Sequence, residues 1–224
     1  MITIWRVSLR AAEALPPARA RCLDAHEVLR AQRFADAAQG ARWQVVHVAL
    51  REILGASLGV APEAVSFQHH ADGRTTIANE RAPRFSLSHT TDLALIAVGA
   101  GEALGVDLEQ RRPVPGLTDV LRDVFTPSER QVIAALPAGE AQLGFLRGWT
   151  RKEAVVKALG RGIESMGKVE VTLDAAPRLL SLDVEGEQPQ QWSLADLNLS
   201  APFVGALAVR APSAHYELRD WTIS

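Results

Sequence analysis

The chain reads as an α+β protein of two loosely similar halves, each made of helices followed by about three strands. Three observations predict this. Apolar residues recur at helical spacing over 41–58, at Val45, Val46, Ala49, Leu50, Ile53 and Leu54. From Val65 the period changes to alternation, which is the pattern of half-buried strands. The same order of helices and then strands returns after residue 111, although no sequence repeat accompanies it.

Each element has a local reason. Ile2, Ile4 and Val7, with Thr3 and Arg6 between them, form a half-buried strand, and Pro16-Pro17 punctuates the segment after it. Helices are expected over 24–36 and 41–58. His47 and Arg51 read as the wet face of the second helix. Arg30, Arg33 and Arg42 fit either a wet face or a cationic rim for a polyanion, because planar guanidinium groups match phosphate geometry. Asp72-Gly73 marks a turn, and apolar runs at 84–88, 93–98 and 104–109 predict an antiparallel meander. In FTPSER, Thr126 is placed to cap a helix, Pro127 fits its first position, and Glu129 can complete a capping box. A long helix from about 140 to 159 follows the break at Pro137 and Gly139, and Gly160 and Gly162 stop it. Strands are then expected at 169–173, 179–184, 203–209 and 215–221.

Composition narrows the function. The chain has 224 residues, and its 24 basic and 26 acidic side chains leave a net charge of -2, which argues against a nucleic-acid footprint over the whole surface. Cys22 is the single cysteine, so no internal disulfide and no thiolate metal cluster is expected, as in a reducing compartment. With no apolar run of the ~18 residues a membrane span needs, the expectation is a cytoplasmic protein with no membrane and no nucleic-acid partner.

Three stretches carry chemistry. In GVDLE at 105–109, Asp107 and Glu109 share one face of a strand with Cα atoms about 7 Å apart. Paired carboxylates repel when partly buried, and they serve when a divalent cation lies between them. Hard oxygen donors without cysteine suit Mg²⁺; a solvated strand face is the plain alternative. In RGWTRKEAVVKALGRGI at 147–163, Trp149, Glu153 and Lys157 fall four apart on one helix face. A Glu–Lys pair at this spacing also decorates ordinary solvated helices, contributing about 0.2 to 0.5 kcal/mol. Ser88 and His89 offer a hydroxyl and an imidazole at a strand end, suited to phosphate oxygens.

The stretches GVDLE (105–109), FTPSE (125–129), WTRKEAVVKALGRGI (149–163) and FSLSH (85–89) together resemble the 4′-phosphopantetheinyl transferases of the long, pseudo-dimeric, surfactin-synthetase-activating type. Weaker likeness, in WRV at 5–7 and ALREILG at 49–55, extends across nearly the whole chain. The resemblance implies two similar α+β halves, 1–110 and 111–224, related by a pseudo-twofold axis. Each would be a three-stranded antiparallel sheet packed with a long helix, with coenzyme A in the groove between them. It implies a monomer that transfers the 4′-phosphopantetheine arm of coenzyme A to a serine of an acyl or peptidyl carrier protein and releases adenosine 3′,5′-bisphosphate. Asp107, Glu109 and Glu153 fall on the family's metal-binding acids, Lys157 on its lysine, and Ser88 and His89 on phosphate-contacting positions.

For the chemistry itself, Glu153 or Glu109 is the candidate base and Lys157 the group that stabilises the leaving bisphosphate. Two departures stand out: Ser86 replaces a frequent Asn, and Gly73-Arg74-Thr75 replaces a frequent Gly-Lys-Pro. Arg74 keeps a positive charge for the 3′-phosphate. The alternative is an inactive module that binds coenzyme A or a carrier, but such a chain is expected to have lost an acid or Lys157, and all are present.

Overall fold

The structure, a computed structural model, describes residues 1–70, 74–79, 82–101, 103–114 and 116–223. In chain order the elements begin with β1 (Ile2–Ser8), α1 (Pro17–Ala20), α2 (Ala25–Gln32), α3 (Ala37–Leu58), β2 (Phe67–His69), β3 (Thr75–Ile77), β4 (Arg84–His89), β5 (Leu93–Gly99) and β6 (Leu104–Gln110). They continue with α4 (Leu117–Val124), α5 (Pro127–Ala135), α6 (Ala138–Leu159), β7 (Val169–Val171), β8 (Leu179–Leu182), β9 (Ser193–Asp196), β10 (Phe203–Val209) and β11 (Tyr216–Trp221).

The mixed α+β class is as expected, but the sheets are put together differently from the expected meander. β4 and β5 form the antiparallel hairpin, whereas β6 leaves it and pairs antiparallel with β10, which pairs with β9. The first sheet is four-stranded, in the order β11-β1-β5-β4, and its β1–β11 pair is parallel, Ile2 opposite Tyr216 through Val7 opposite Trp221. A three-stranded antiparallel sheet therefore describes only the second sheet. Because β6 joins the second sheet and β11 returns to the first, the division at residue 110 does not coincide with the division between the sheets.

Strand alternation explains the layering. One face of the first sheet, with Val7, Ala94, Ile96 and Val98, buries Val45, Ala49 and Leu54 of α3. Its other face, with Ile2, Ile4, Leu95 and Ala97, packs on Val106, Leu108, Leu207 and Val209 of the second sheet. The remaining face of the second sheet, with Ala206 and Ala208, buries Ala154 and Val155 of α6. The order is thus helix, sheet, sheet, helix. It gives β6 a covering on both faces, so Val106, Asp107 and Leu108 are all buried.

Two local features set the position of β6. Its edge away from β10 is closed by side chains of β4: Ser86 Oγ accepts from the Val106 N–H at 3.0 Å, and Ser88 Oγ accepts from the Leu108 N–H at 3.2 Å. The hydroxyls replace the strand that the edge lacks. On the α6 side, a Cβ at Gly105 would stand 1.9 Å from the Ala154 carbonyl oxygen, so the helix lies directly on bare backbone.

The helix caps agree with the sequence. Thr126 and Glu129 form the capping box of α5, and Asp24 and Glu27 form a second one on α2. Arg51 corrects the reading of α3. It is 2 % exposed, not on the wet face, and its guanidinium donates to Glu27, Asp24 and the carbonyls of Pro62 and Val65.

Two substitutions test the β6 supports. Ser86→Ala leaves the buried Val106 N–H without its acceptor and is expected to lower the unfolding free energy by about 1 to 3 kcal/mol; an unchanged denaturant midpoint would show that the N–H finds another partner. Gly105→Ala forces the α6 backbone away and is expected to cost at least about 1 to 3 kcal/mol, read as a lower melting temperature.

Candidate active site

The site forms where β6, β4 and α6 meet. Alternation turns Gly105, Asp107 and Glu109 towards α6, and the absent side chain at Gly105 lets that helix come close enough to bring Glu153 and Lys157 alongside. Lys157 Nζ stands 2.7 Å from Asp107 Oδ1, 3.1 Å from Ser88 Oγ and 3.6 Å from Glu153 Oε1. Ser88 donates its own proton to Asp107 Oδ1 at 2.8 Å. Its hydroxyl therefore both supports β6 and orients the acid.

Asp107 is 2 % exposed, and its second oxygen, Oδ2, is buried without a hydrogen-bond partner. A carboxylate oxygen in that condition is costly unless something positive completes it. The two glutamates respond to the same crowding. Burial, followed by the negative charge of Asp107, raises the Glu153 pKa above its ordinary value, with Lys157 opposing and Glu109 adding to the rise. Burial and then Asp107 likewise raise the pKa of Glu109, against the opposing pull of Arg112 and Lys157. The Trp149 indole N–H is buried and has no acceptor at hydrogen-bond distance, yet it lies close enough to Glu109 to favour the charged carboxylate.

Among the described residues no three His, Cys, Asp or Glu side chains are grouped so as to hold a metal ion as they stand; the group against Asp107 is the Lys157 ammonium. The donor chemistry nevertheless fits a hard divalent cation. Burial and the nearby charge of Asp107 raise the pKa values of Glu109 and Glu153, and one buried oxygen of Asp107 is uncompensated, so these oxygen donors suit a divalent cation.

Beside this cluster opens a groove of about 980 Å³. Its wall includes Arg30, Arg74, Arg84, Arg161 and Lys157 as cations, and Trp43, Leu50, Phe67, Phe85 and Leu87 as apolar surface. Of the residues singled out from the sequence, Arg30, Arg74 and Lys157 are brought together in this wall, while Arg33, Arg42, Ser88 and His89 lie outside it. Gly73 lies outside the described residues. His89 is exposed at the end of β4, but the surrounding protein desolvates the ring enough, with Lys157 and His47 adding repulsion, to hold its pKa below the ordinary value. Trp43, Arg84 and Arg161 do not stand out in the sequence. For Trp43, the four-residue spacing to His47 is the available signal.

The profile of the 4′-phosphopantetheinyl transferase superfamily matches residues 103–209, the stretch from β6 to β10. The chain is similar to the 4′-phosphopantetheinyl transferase HetI of Nostoc sp., with 34% identity over 212 residues, covering 93% of this chain and 87% of the relative. It also resembles the 4′-phosphopantetheinyl transferase AcpT of Salmonella typhimurium, 32% identical over 144 residues, which are 64% of this chain and 72% of that protein. The mouse L-aminoadipate-semialdehyde dehydrogenase-phosphopantetheinyl transferase is 24% identical over 186 residues, 73% of this chain but only 59% of the mouse protein. With Asp107, Glu153 and Lys157 assembled inside the matched region and a relative aligned over nearly its whole length, the chain belongs to the 4′-phosphopantetheinyl transferase superfamily and is an enzyme of that kind.

Proposed function

We propose that the protein transfers the 4′-phosphopantetheine arm of coenzyme A to a serine hydroxyl of an acyl or peptidyl carrier protein, in a Mg²⁺-dependent reaction that releases adenosine 3′,5′-bisphosphate. The observation that carries this reading is the position of Lys157. Its ammonium is in contact with Asp107 and Ser88, next to Glu153, and in the wall of a groove lined by four arginines. An ammonium beside paired carboxylates, opening on guanidinium groups, is suited to a pyrophosphate that must be cleaved.

Asp107, Glu109 and Glu153 would hold the cation. When bound, Mg²⁺ supplies charge neutralisation at the phosphate oxygens. The chain's own groups do the rest. Arg30, Arg74, Arg84 and Arg161 bind and align the polyanion. Glu153 or Glu109, through a carboxylate oxygen not engaged by the cation, accepts the serine proton, an assistance typically worth about 10²- to 10⁴-fold in rate. The serine oxygen forms its bond to the phosphorus that carries the pantetheine arm while the bond to the bridging oxygen breaks. Lys157 stabilises the negative charge left on the departing bisphosphate. Phosphoryl transfer of this type depends on positioning and electrostatics, which is why a network fixed by β4, β6 and α6 suffices. The chain acts as a monomer in the cytoplasm, on a groove bounded by residues from both of its halves.

Intact-mass spectrometry of an apo carrier protein incubated with this protein, coenzyme A and Mg²⁺ tests the reading. A gain of about 340 Da by covalent arithmetic is expected. It is abolished in Asp107→Ala and slowed in Lys157→Ala, and the lysine variant retains Mg²⁺ affinity. No gain on several carriers, with coenzyme A still bound, would make the protein a binding module.

The raised pKa values make stability depend on pH and on a bound cation. The folded state holds protons on Glu109 and Glu153 at higher pH than the unfolded chain, so these groups subtract stability as pH rises from the ordinary glutamate value of 4.5 through their raised values. A cation bound at these carboxylates offsets both their burial and the repulsion from Asp107. Mg²⁺ is expected to raise the melting temperature at pH 7, and the rise shrinks as pH falls towards 5, where protons compete for the same oxygens. An equal rise in Asp107→Ala would place the cation elsewhere.

A further inference from the structure

The proposed reaction engages the cations of the groove and leaves its aromatic wall without a task. Trp43 and His47 stand one turn apart on α3 with their rings stacked, centroids 3.6 Å apart and planes 19° from parallel. The imidazole is itself held in place, because its Nδ1 lies 3.3 Å from Glu27 Oε1. The other Glu27 oxygen accepts from Arg51 Nε at 2.7 Å and from the Asp24 N–H at 2.9 Å. Burial works to raise the Glu27 pKa, but the bonds from His47, the Asp24 backbone and Arg51 outweigh it and hold the carboxylate below its usual range. The chain of contacts from Arg51 through Glu27 and His47 therefore fixes the indole before any ligand arrives, and a surface already ordered loses little entropy on binding.

The half-buried Trp43 shares its wall with Leu50 and with Phe67 and Phe85, which meet edge to face at 6.0 Å. Arg30, Arg74, Arg84 and Arg161 line the same groove. A flexible pantetheine chain needs no flat surface, and phosphates need only the cations. A stacked aromatic pair beside guanidinium groups is the lining that a planar base carrying phosphates requires.

We propose that the Trp43–His47 stack is the base-recognition platform of the groove, with the indole receiving the planar heteroaromatic base of the nucleotide substrate. This rests on the coenzyme A reading above, in which the base is adenine. Trp43 is then a binding residue that determines specificity for the nucleotide end of the coenzyme, and His47 and Glu27 are positioning residues behind it.

Calorimetric titrations of the full chain with coenzyme A, adenosine 3′,5′-bisphosphate and 4′-phosphopantetheine separate the possibilities. Trp43→Ala is expected to weaken the first two ligands by about 5- to 100-fold and to leave 4′-phosphopantetheine within about twofold. Trp43→Phe keeps a flat ring and most of the affinity. Indole fluorescence, quenched by the bisphosphate in the wild type, should respond much less in Trp43→Phe, and this decides the question if Trp43→Ala does not fold. Undiminished nucleotide affinity in Trp43→Ala, an equal loss for 4′-phosphopantetheine, or unchanged quenching in Trp43→Phe overturns the platform while the coenzyme reading stands. A wild type that binds none of the three ligands overturns the coenzyme reading itself.

Discussion

Helix α6 rests on strand β6 at the one place where the strand has no side chain. With a Cβ at Gly105 only 1.9 Å from the Ala154 oxygen, any larger residue would lift the helix, and the groups one turn on either side of Ala154 would lift with it. The same closeness carries an electrostatic cost. It brings Glu153 to Asp107 and Glu109 in a partly buried space, and the raised pKa values of Glu109 and Glu153 express burial first and the charge of Asp107 second. The fold tolerates it because Lys157 and Ser88 engage one oxygen of Asp107, while the other has no hydrogen-bond partner.

A helix loaded with repulsion on one face needs anchors elsewhere, and the two residues before Glu153 provide them. Arg151 and Lys152 have no exposed surface. Arg151 makes a two-pronged ion pair with Asp196 of β9, at 2.8 and 2.7 Å, and also binds the Thr172 and Asp174 carbonyls. Lys152 Nζ lies 2.7 Å from Glu129 of α5 and donates to the Val169 carbonyl. Burial pulls the Lys152 pKa down, and Glu129 works against that pull. Such pairs add little over apolar packing, but stranding one partner costs about 3 to 5 kcal/mol. Their effect is therefore on geometry: α6 cannot rotate about its axis without exposing an unpaired charge, so Glu153 and Lys157 stay turned towards β6.

Legibility in the sequence tracks the range of the interactions. Period and capping are local, so α3, α6, β4, β5 and the Thr126–Glu129 box can be read directly, as can the common face of Asp107 and Glu109. Pairing partners are not local. Alternation in 104–109 shows which residues share a face but not that β6 pairs with β10, about a hundred residues on, or that the run ending at Trp221 lies parallel to β1. The same limit explains Arg51. A charged residue on a helix is solvated by default, and its partners Asp24 and Glu27 belong to another helix. Arg151 and Lys152 stand inside a recognised motif, yet only the positions of Asp196 and Glu129 turn them from surface charges into anchors.

Two cations of the groove, Lys157 and Arg74, are engaged by protein groups at rest, which bears on how a polyanion enters. Lys157 is engaged by Asp107. Arg74 crosses to the end of α6, where its side chain packs so closely on Gly160 that a Cβ there would stand 2.1 Å from Arg74 Cδ. Gly160 has a φ of +66° and ends the helix, so the guanidinium lies where the carbonyl ends of α6 favour positive charge. A phosphate that takes Arg74 from this position must offer more than its resting contacts, among which the helix terminus is typically worth about 0.3 to 1 kcal/mol at an exposed site. A phosphate meets that condition easily. In the proposed reading, a ligand with several phosphate oxygens replaces these resting contacts better than a neutral one does.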